Sequence, residues 1–166
     1  MSDGRERFHF RNRANTRVAL ATLALGFGSW VFAQSAPRPE QLIKWRQSAF
    51  QVVAWNTQRL KSALASDGDV REIQRAAVAL AAVAGSGLPD LFAPGTEHGK
   101  GWRDTTAGAA VFSDAARFRA QSEEFAREAA LLAQLAAGTN RAAIEDQFAK
   151  VAKTCKSCHE KFRETD

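Results

Sequence analysis

The chain closes on Lys150–Asp166, KVAKTCKSCHEKFRETD. Cys155 and Cys158 are the only two cysteines in 166 residues, and His159 follows the second one directly. Three chemistries use such a cluster: a zinc site, a dithiol–disulfide couple and the covalent attachment of haem. A structural zinc site closes with about four nitrogen or sulfur ligands. Beyond position 34 the sequence offers one further histidine, His98, and no further cysteine, so a zinc site is short of partners. Cys158 and His159 are also adjacent, which puts them about 100° apart on a helix and makes joint chelation of one ion awkward.

A thioredoxin-type couple sits at a helix N-terminus after a strand, where the helix dipole lowers the thiol pKa. Here the motif occupies the last turns of a helical pattern, with no strand pattern nearby. A plain disulfide between these positions closes a very small loop and stabilises little. Haem attachment accounts for all three residues together. Two thiols three residues apart lie on one helix face. Each can add to one vinyl group of a haem, and the following histidine then reaches the iron as its proximal ligand.

The surrounding sequence is helical. Alanine is abundant, tyrosine is absent and β-branched residues are sparse, a bias toward helix over sheet. Ahead of the motif, Ile144, Phe148, Val151, Cys155 and Phe162 recur at helical spacing, with Thr139 or Asn140 as the cap. A preceding helix capped by Ser113 carries Phe118, Phe125, Ala129, Leu132 and Leu135, and Gly138 suits the position past its end. Nearer the N-terminus, Pro39 opens a helix running to about Ala65, with the stripe Leu42, Trp45, Ala49, Val53, Leu60 and Leu64. Asp69 caps another, with Ile73, Ala77, Leu80 and Val83 on one face. Residues 85–112, rich in glycine and holding Pro89 and Pro94, form a long irregular connection of the kind that often carries function. The fold predicted for 34–166 is therefore all-α: an antiparallel four-helix bundle with haem c bound near the C-terminal helix.

Residues 1–33 read differently. Arg5, Arg7, Arg11, Arg13 and Arg17 precede the apolar run Val18–Ala33, the pattern of a secretory signal peptide cleaved before Gln34, with an uncleaved membrane anchor as the alternative. The run is slightly short for a membrane span. Either way the body is expected to be exported, and c-type haem attachment outside the bacterial cytoplasm agrees with that. The leader also explains the net charge of +5: beyond it, 18 basic residues face 16 acidic ones, a net of +2 that gives no reason to invoke nucleic acid.

The only methionine is Met1, which departs with the leader, so a His/Met-ligated iron is excluded by composition. His98 sits in the glycine-rich PGTEHGKGW and reads best as an exposed loop residue. The iron is then left with one strong protein ligand and an open or guarded distal face, suited to small neutral gases. Arg46 and Phe50 are neighbours on the first helix. Arg46 could pair with a haem propionate and Phe50 could lie over the iron; ordinary roles, a solvated charge and a core ring, fit the same spacing. Arg163, one turn beyond His159, could tune the proximal side or complement the helix terminus.

These residues carry a resemblance. RPEQLIKWRQSAF (38–50), FAPGTEHG (92–99), WRDTTAGAAVFSDAARFRA (102–120) and CKSCHEKFR (155–163), in that order, resemble cytochrome c′, the class II c-type cytochromes, over nearly all of 37–163. The resemblance implies a periplasmic haem protein, often a homodimer, with five-coordinate high-spin iron bound by His159 and haem held by Cys155 and Cys158. It also implies haem contacts at Arg46, Gln47, Thr96 and Glu97, a distal Phe50, and a basic Arg163 near the proximal face, where some members accept NO. Leu, Met or Tyr is more familiar at the distal position; a larger ring hinders that face and bears on how readily CO binds.

Two functions follow: NO binding, with CO as a further gas, or electron transfer with a periplasmic redox partner. A non-haem helical interaction module is the third class, and it would be colourless. No enzyme is indicated, since no Ser/His/Asp set, carboxylate pair or phosphate loop stands out.

Overall fold

The computed structural model describes residues 36–66 and 68–164. The expected signal peptide, 1–33, lies outside the described residues. The elements are α1 (Pro39–Ala65), α2 (Val70–Ala84), a 3-10 turn (Leu88–Leu91), α3 (Ala110–Ser113), α4 (Ala115–Leu135) and α5 (Arg141–Phe162). The long helices α1, α2, α4 and α5 make the four-helix bundle, and α3 is a single turn leading into α4. Among the described residues there are only isolated β-bridges, and no helix is long and apolar enough to cross a membrane.

The helix starts follow local chemistry. Pro39 stands in the first turn of α1, where its missing N–H costs nothing. The Asp69 carboxylate accepts from the Arg71 amide and caps α2, and the Asn140 side chain accepts from the Ala143 amide and caps α5. Ser113 does not cap the third long helix as expected. Its hydroxyl donates back to the Ala109 carbonyl, and the chain breaks at Asp114 before α4 begins. The break lets the Asp114 carboxylate meet the Lys161 ammonium at 2.8 Å, tying the start of α4 to the end of α5.

The core is built from Leu60, Ile73, Leu80, Leu132, Ile144 and Val151, with Ala76, Ala77 and Ala129 between them. Each buried leucine contributes about 2 kcal/mol, and the alanines let the helix backbones approach. Polar links hold the helices in register. Arg59 donates to Glu72 at 2.6 Å, and with Arg75 it holds that carboxyl down to about 2, so α1 and α2 are joined by an ionised acid. Arg141, at the head of α5, donates to the Ala63 and Leu64 carbonyls at 2.7 and 2.6 Å, closing the C-terminus of α1.

The expected stripe on α1 is corrected in its first half. The buried residues are Ile43, Arg46, Val53, Asn56, Leu60 and Ala63, while Trp45 is 45 % exposed. Hydrophobicity pointed to the tryptophan, but the adjacent Arg46, which finds acceptors inside, is the side chain buried there. Trp45, Val52 (40 % exposed) and Trp55 (61 % exposed) instead form an apolar stripe on the outer surface.

Candidate haem site

At the end of the bundle that carries the long loop, α1 and α5 part and the core opens into a cavity of about 510 Å³, within the ~300–1,000 Å³ usual for ligand sites. One wall is α5, bearing Cys155, Cys158, His159 and Arg163. The facing wall is α1, bearing Arg46, Gln47 and Phe50. Phe92, Phe118 and Phe162 line the floor, and Arg103 and Thr105 come from the loop.

The α5 wall is set by helical spacing. Cys155 and Cys158 stand one turn apart as free, half-buried thiols. Burial raises both pKa values, that of Cys158 to about 11 with the neighbouring Cys155 adding to it. They rest as neutral thiols, which disfavours a thiolate metal site or a reactive redox pair. Among the described residues, no group of three His, Cys, Asp or Glu side chains converges to hold a bare metal ion. His159 stands at the rim. Partial burial, and then the Arg163 guanidinium, lower its pKa, which favours the neutral imidazole that an iron ligand requires.

Arg46 is the polar centre of the opposite wall. It is 3 % exposed. Its guanidinium donates to the Leu91 carbonyl (3.1 Å), to the Thr96 hydroxyl (2.7 Å) and carbonyl (2.8 Å) and to the Thr105 hydroxyl (2.7 Å). It also lies 4.5 Å over the Phe92 ring. Burial lowers its pKa to about 10, with Glu97 pushing the other way, so it stays charged at neutral pH. The Gln47 amide is engaged at both ends: it accepts from the Trp102 amide at 2.7 Å and donates to the Arg103 carbonyl at 2.9 Å. Trp102 also donates through its indole N–H to the Ser48 hydroxyl. The loop is therefore fastened to α1 by two side chains that themselves line the cavity.

Gly101 allows this approach. A Cβ there would lie 2.5 Å from Gln47 Oε1, 2.8 Å from the Lys44 amide nitrogen and 2.9 Å from Ile43 Cγ2. At its far end the loop is sewn to the chain terminus: the Gly108 amide donates to the Phe162 carbonyl and the Glu164 amide to the Thr106 carbonyl.

Of the residues singled out from the sequence, Cys155, Cys158, His159, Arg163, Arg46, Gln47 and Phe50 share this one cavity. Thr96 and Glu97 stand behind Arg46 and do not line it; Thr96 is fully buried as an acceptor for the guanidinium. His98 is exposed and outside the lining. Sequence reasoning missed Arg103 and the phenylalanines at 92, 118 and 162 as lining residues. The three rings give an ordinary core signal until the fold brings them together. The donor set fits haem c: two neutral thiols and an imidazole on one wall, an aromatic interior for a flat macrocycle, and the Arg103 guanidinium for its propionates, since the terminal N–H groups of Arg46 are already taken by Leu91, Thr96 and Thr105.

The family profile described as Cytochrome C' matches residues 41–163. A cytochrome c′ from Rhodocyclus tenuis is 45% identical over 130 residues, covering 78% of this chain and 98% of that protein. A solved cytochrome c′ described as having an unusual ligand-controlled dimer dissociation superposes with a TM-score of 0.75 at 31% identity, covering 79% of this chain and 100% of the other. The nitric oxide complex of a leucine variant of cytochrome c prime from Alcaligenes xylosoxidans superposes with a TM-score of 0.69 at 26% identity, covering 79% and 99%.

Proposed function

The chain belongs to the cytochrome c′ family, and from that premise we propose that it is a periplasmic haem c protein that binds nitric oxide at a five-coordinate iron. In this reading Cys155 and Cys158 hold the haem, His159 is the single protein ligand, and Phe50 covers the opposite face. Arg46, Arg103 and Gln47 border the propionate end, and Thr96 and Glu97 act through Arg46. When bound, haem supplies an iron with one coordination position left for a small gas. One observation carries the proposal: among the described residues His159 is the only histidine lining the cavity, and it faces a wall whose residues include Phe50 and no second strong ligand. The nitric oxide complex of the Alcaligenes relative supports the choice of gas. Export rests on the leader pattern and on the site of c-type haem attachment.

The test uses protein recovered from a periplasmic fraction, with its N-terminus near Gln34. Its ferrous form should show a five-coordinate high-spin spectrum that changes on titration with about one NO per haem. A six-coordinate ferrous iron that ignores NO overturns the proposal.

The outer stripe Trp45, Val52 and Trp55 supports a homodimer, since a row of large apolar side chains in solvent marks an association surface. The relative with the dimer that dissociates on ligation makes a second copy the natural occupant. Val52→Glu combined with Trp55→Glu should convert a dimer to a monomer in sedimentation velocity. An unchanged sedimentation coefficient places the interface elsewhere.

A further inference from the structure

Phe50 lines the cavity from α1. Its ring meets the Phe92 ring edge-to-face, with centroids 6.4 Å apart and planes at 63°. Phe92 is itself held from several sides. It ends the 3-10 turn Leu88–Leu91, its amide donating to the Pro89 carbonyl. The Arg46 guanidinium lies over it, and the same guanidinium fixes the carbonyl of Leu91, the residue before it. Its other neighbour is Phe118, at 4.8 Å and 66°. Phe118 in turn abuts Phe162 at 5.3 Å, and Phe162 lies on α5 three residues beyond His159. The four rings run unbroken from Phe50 to the helix that bears the imidazole, and Phe92 is the link held from several sides.

We propose that Phe92 is a positioning residue for Phe50: its clamped ring stops the Phe50 ring from swinging aside and so sets how fast a gas reaches the distal iron position. The proposal rests on the reading of Phe50 as the distal residue. Its physical content is one aromatic pair, which is edge-to-face and therefore directional. Losing it raises the population of the open Phe50 rotamer about fivefold, the factor that corresponds to one such pair. Phe92 lines the cavity floor, and its effect on the distal position is exerted through Phe50.

The test compares CO association, by flow mixing with ferrous haem-loaded protein, for the parent, Phe92→Leu, Phe50→Leu and the double variant. Phe92→Leu should speed CO binding about fivefold in the parent and have almost no effect once Phe50 is leucine. A second readout needs no gas. With 4-fluorophenylalanine at position 50, the fluorine resonance should shift or broaden on Phe92→Leu, reporting the freed ring. Phe92→Met, close in volume, replaces Phe92→Leu if that variant does not fold. Equal acceleration with and without Phe50, or an unmoved fluorine resonance, overturns the proposal. If the resonance responds but Phe50→Leu leaves the CO rate unchanged, the distal placement of Phe50 is what has failed, and the gating claim falls with it.

Discussion

With Cys155 and Cys158 both replaced by serine, haem should no longer travel with the polypeptide on a denaturing gel. The stain should fall from a full haem signal to background. The expectation comes from the state of the two thiols. They stand one helical turn apart, and burial holds both protonated, Cys158 with a pKa raised to about 11. A protonated thiol is a poor metal ligand and a poor redox nucleophile. It retains the hydrogen that is added to a vinyl group along with the sulfur, so each thiol forms one C–S bond with no electrons left over. Serine keeps the volume and removes that bond. Each single variant should keep its colour through the remaining sulfur. Haem stain persisting in the double variant would sink the assignment.

The second large effect is expected at Arg46. Arg46→Met keeps the apolar stem and removes the guanidinium. The Leu91 and Thr96 carbonyls and the Thr96 and Thr105 hydroxyls then lose a charged donor. Hydrogen bonds to charged groups contribute about 1.5–3 kcal/mol each and do not add in full, so a loss of about 3 kcal/mol is expected. In a domain of this size that lowers Tm by roughly 10 °C. Arg46→Lys should recover only part of it, because one ammonium cannot reach acceptors spread over the 3-10 turn and both ends of the loop. Thermal unfolding followed by circular dichroism measures this. A drop of less than about 1 kcal/mol, below what even one such bond contributes, would show that the loop is held by other means.

Arg46 also shows where sequence reading stops. The helix starts were legible because Pro39, Asp69 and Asn140 act on neighbours within a few residues. The motif Cys155–His159 was legible because its chemistry is complete within one turn and a half. The main partners of Arg46 lie 45 to 59 positions away, so no spacing rule connects them. The same blindness put Trp45 in the core. A periodicity count ranks tryptophan above arginine and asparagine, while the fold buries Arg46 and Asn56 because each finds acceptors or donors inside. Ser113 was expected to cap a helix on residue type alone. The break falls one residue later, at Asp114, whose carboxylate meets Lys161 on α5. Gly101 is one more case: its constraint comes from the α1 backbone and Gln47, invisible without the fold.

The stitching of the loop to α1 and to the last residues of α5 bears on the order in which the protein folds. Helices α1 and α2, and likewise α4 and α5, are hairpins closed by contacts between near neighbours in the chain, and such contacts form quickly. The cavity walls close through pairs such as Arg46 with Thr105 and Thr106 with Glu164, which need long loops to be drawn shut first. The expected order is therefore a scaffold built from local parts, with the pocket finished last. A flat, bulky group passes between α1 and α5 more easily before those pairs close than after.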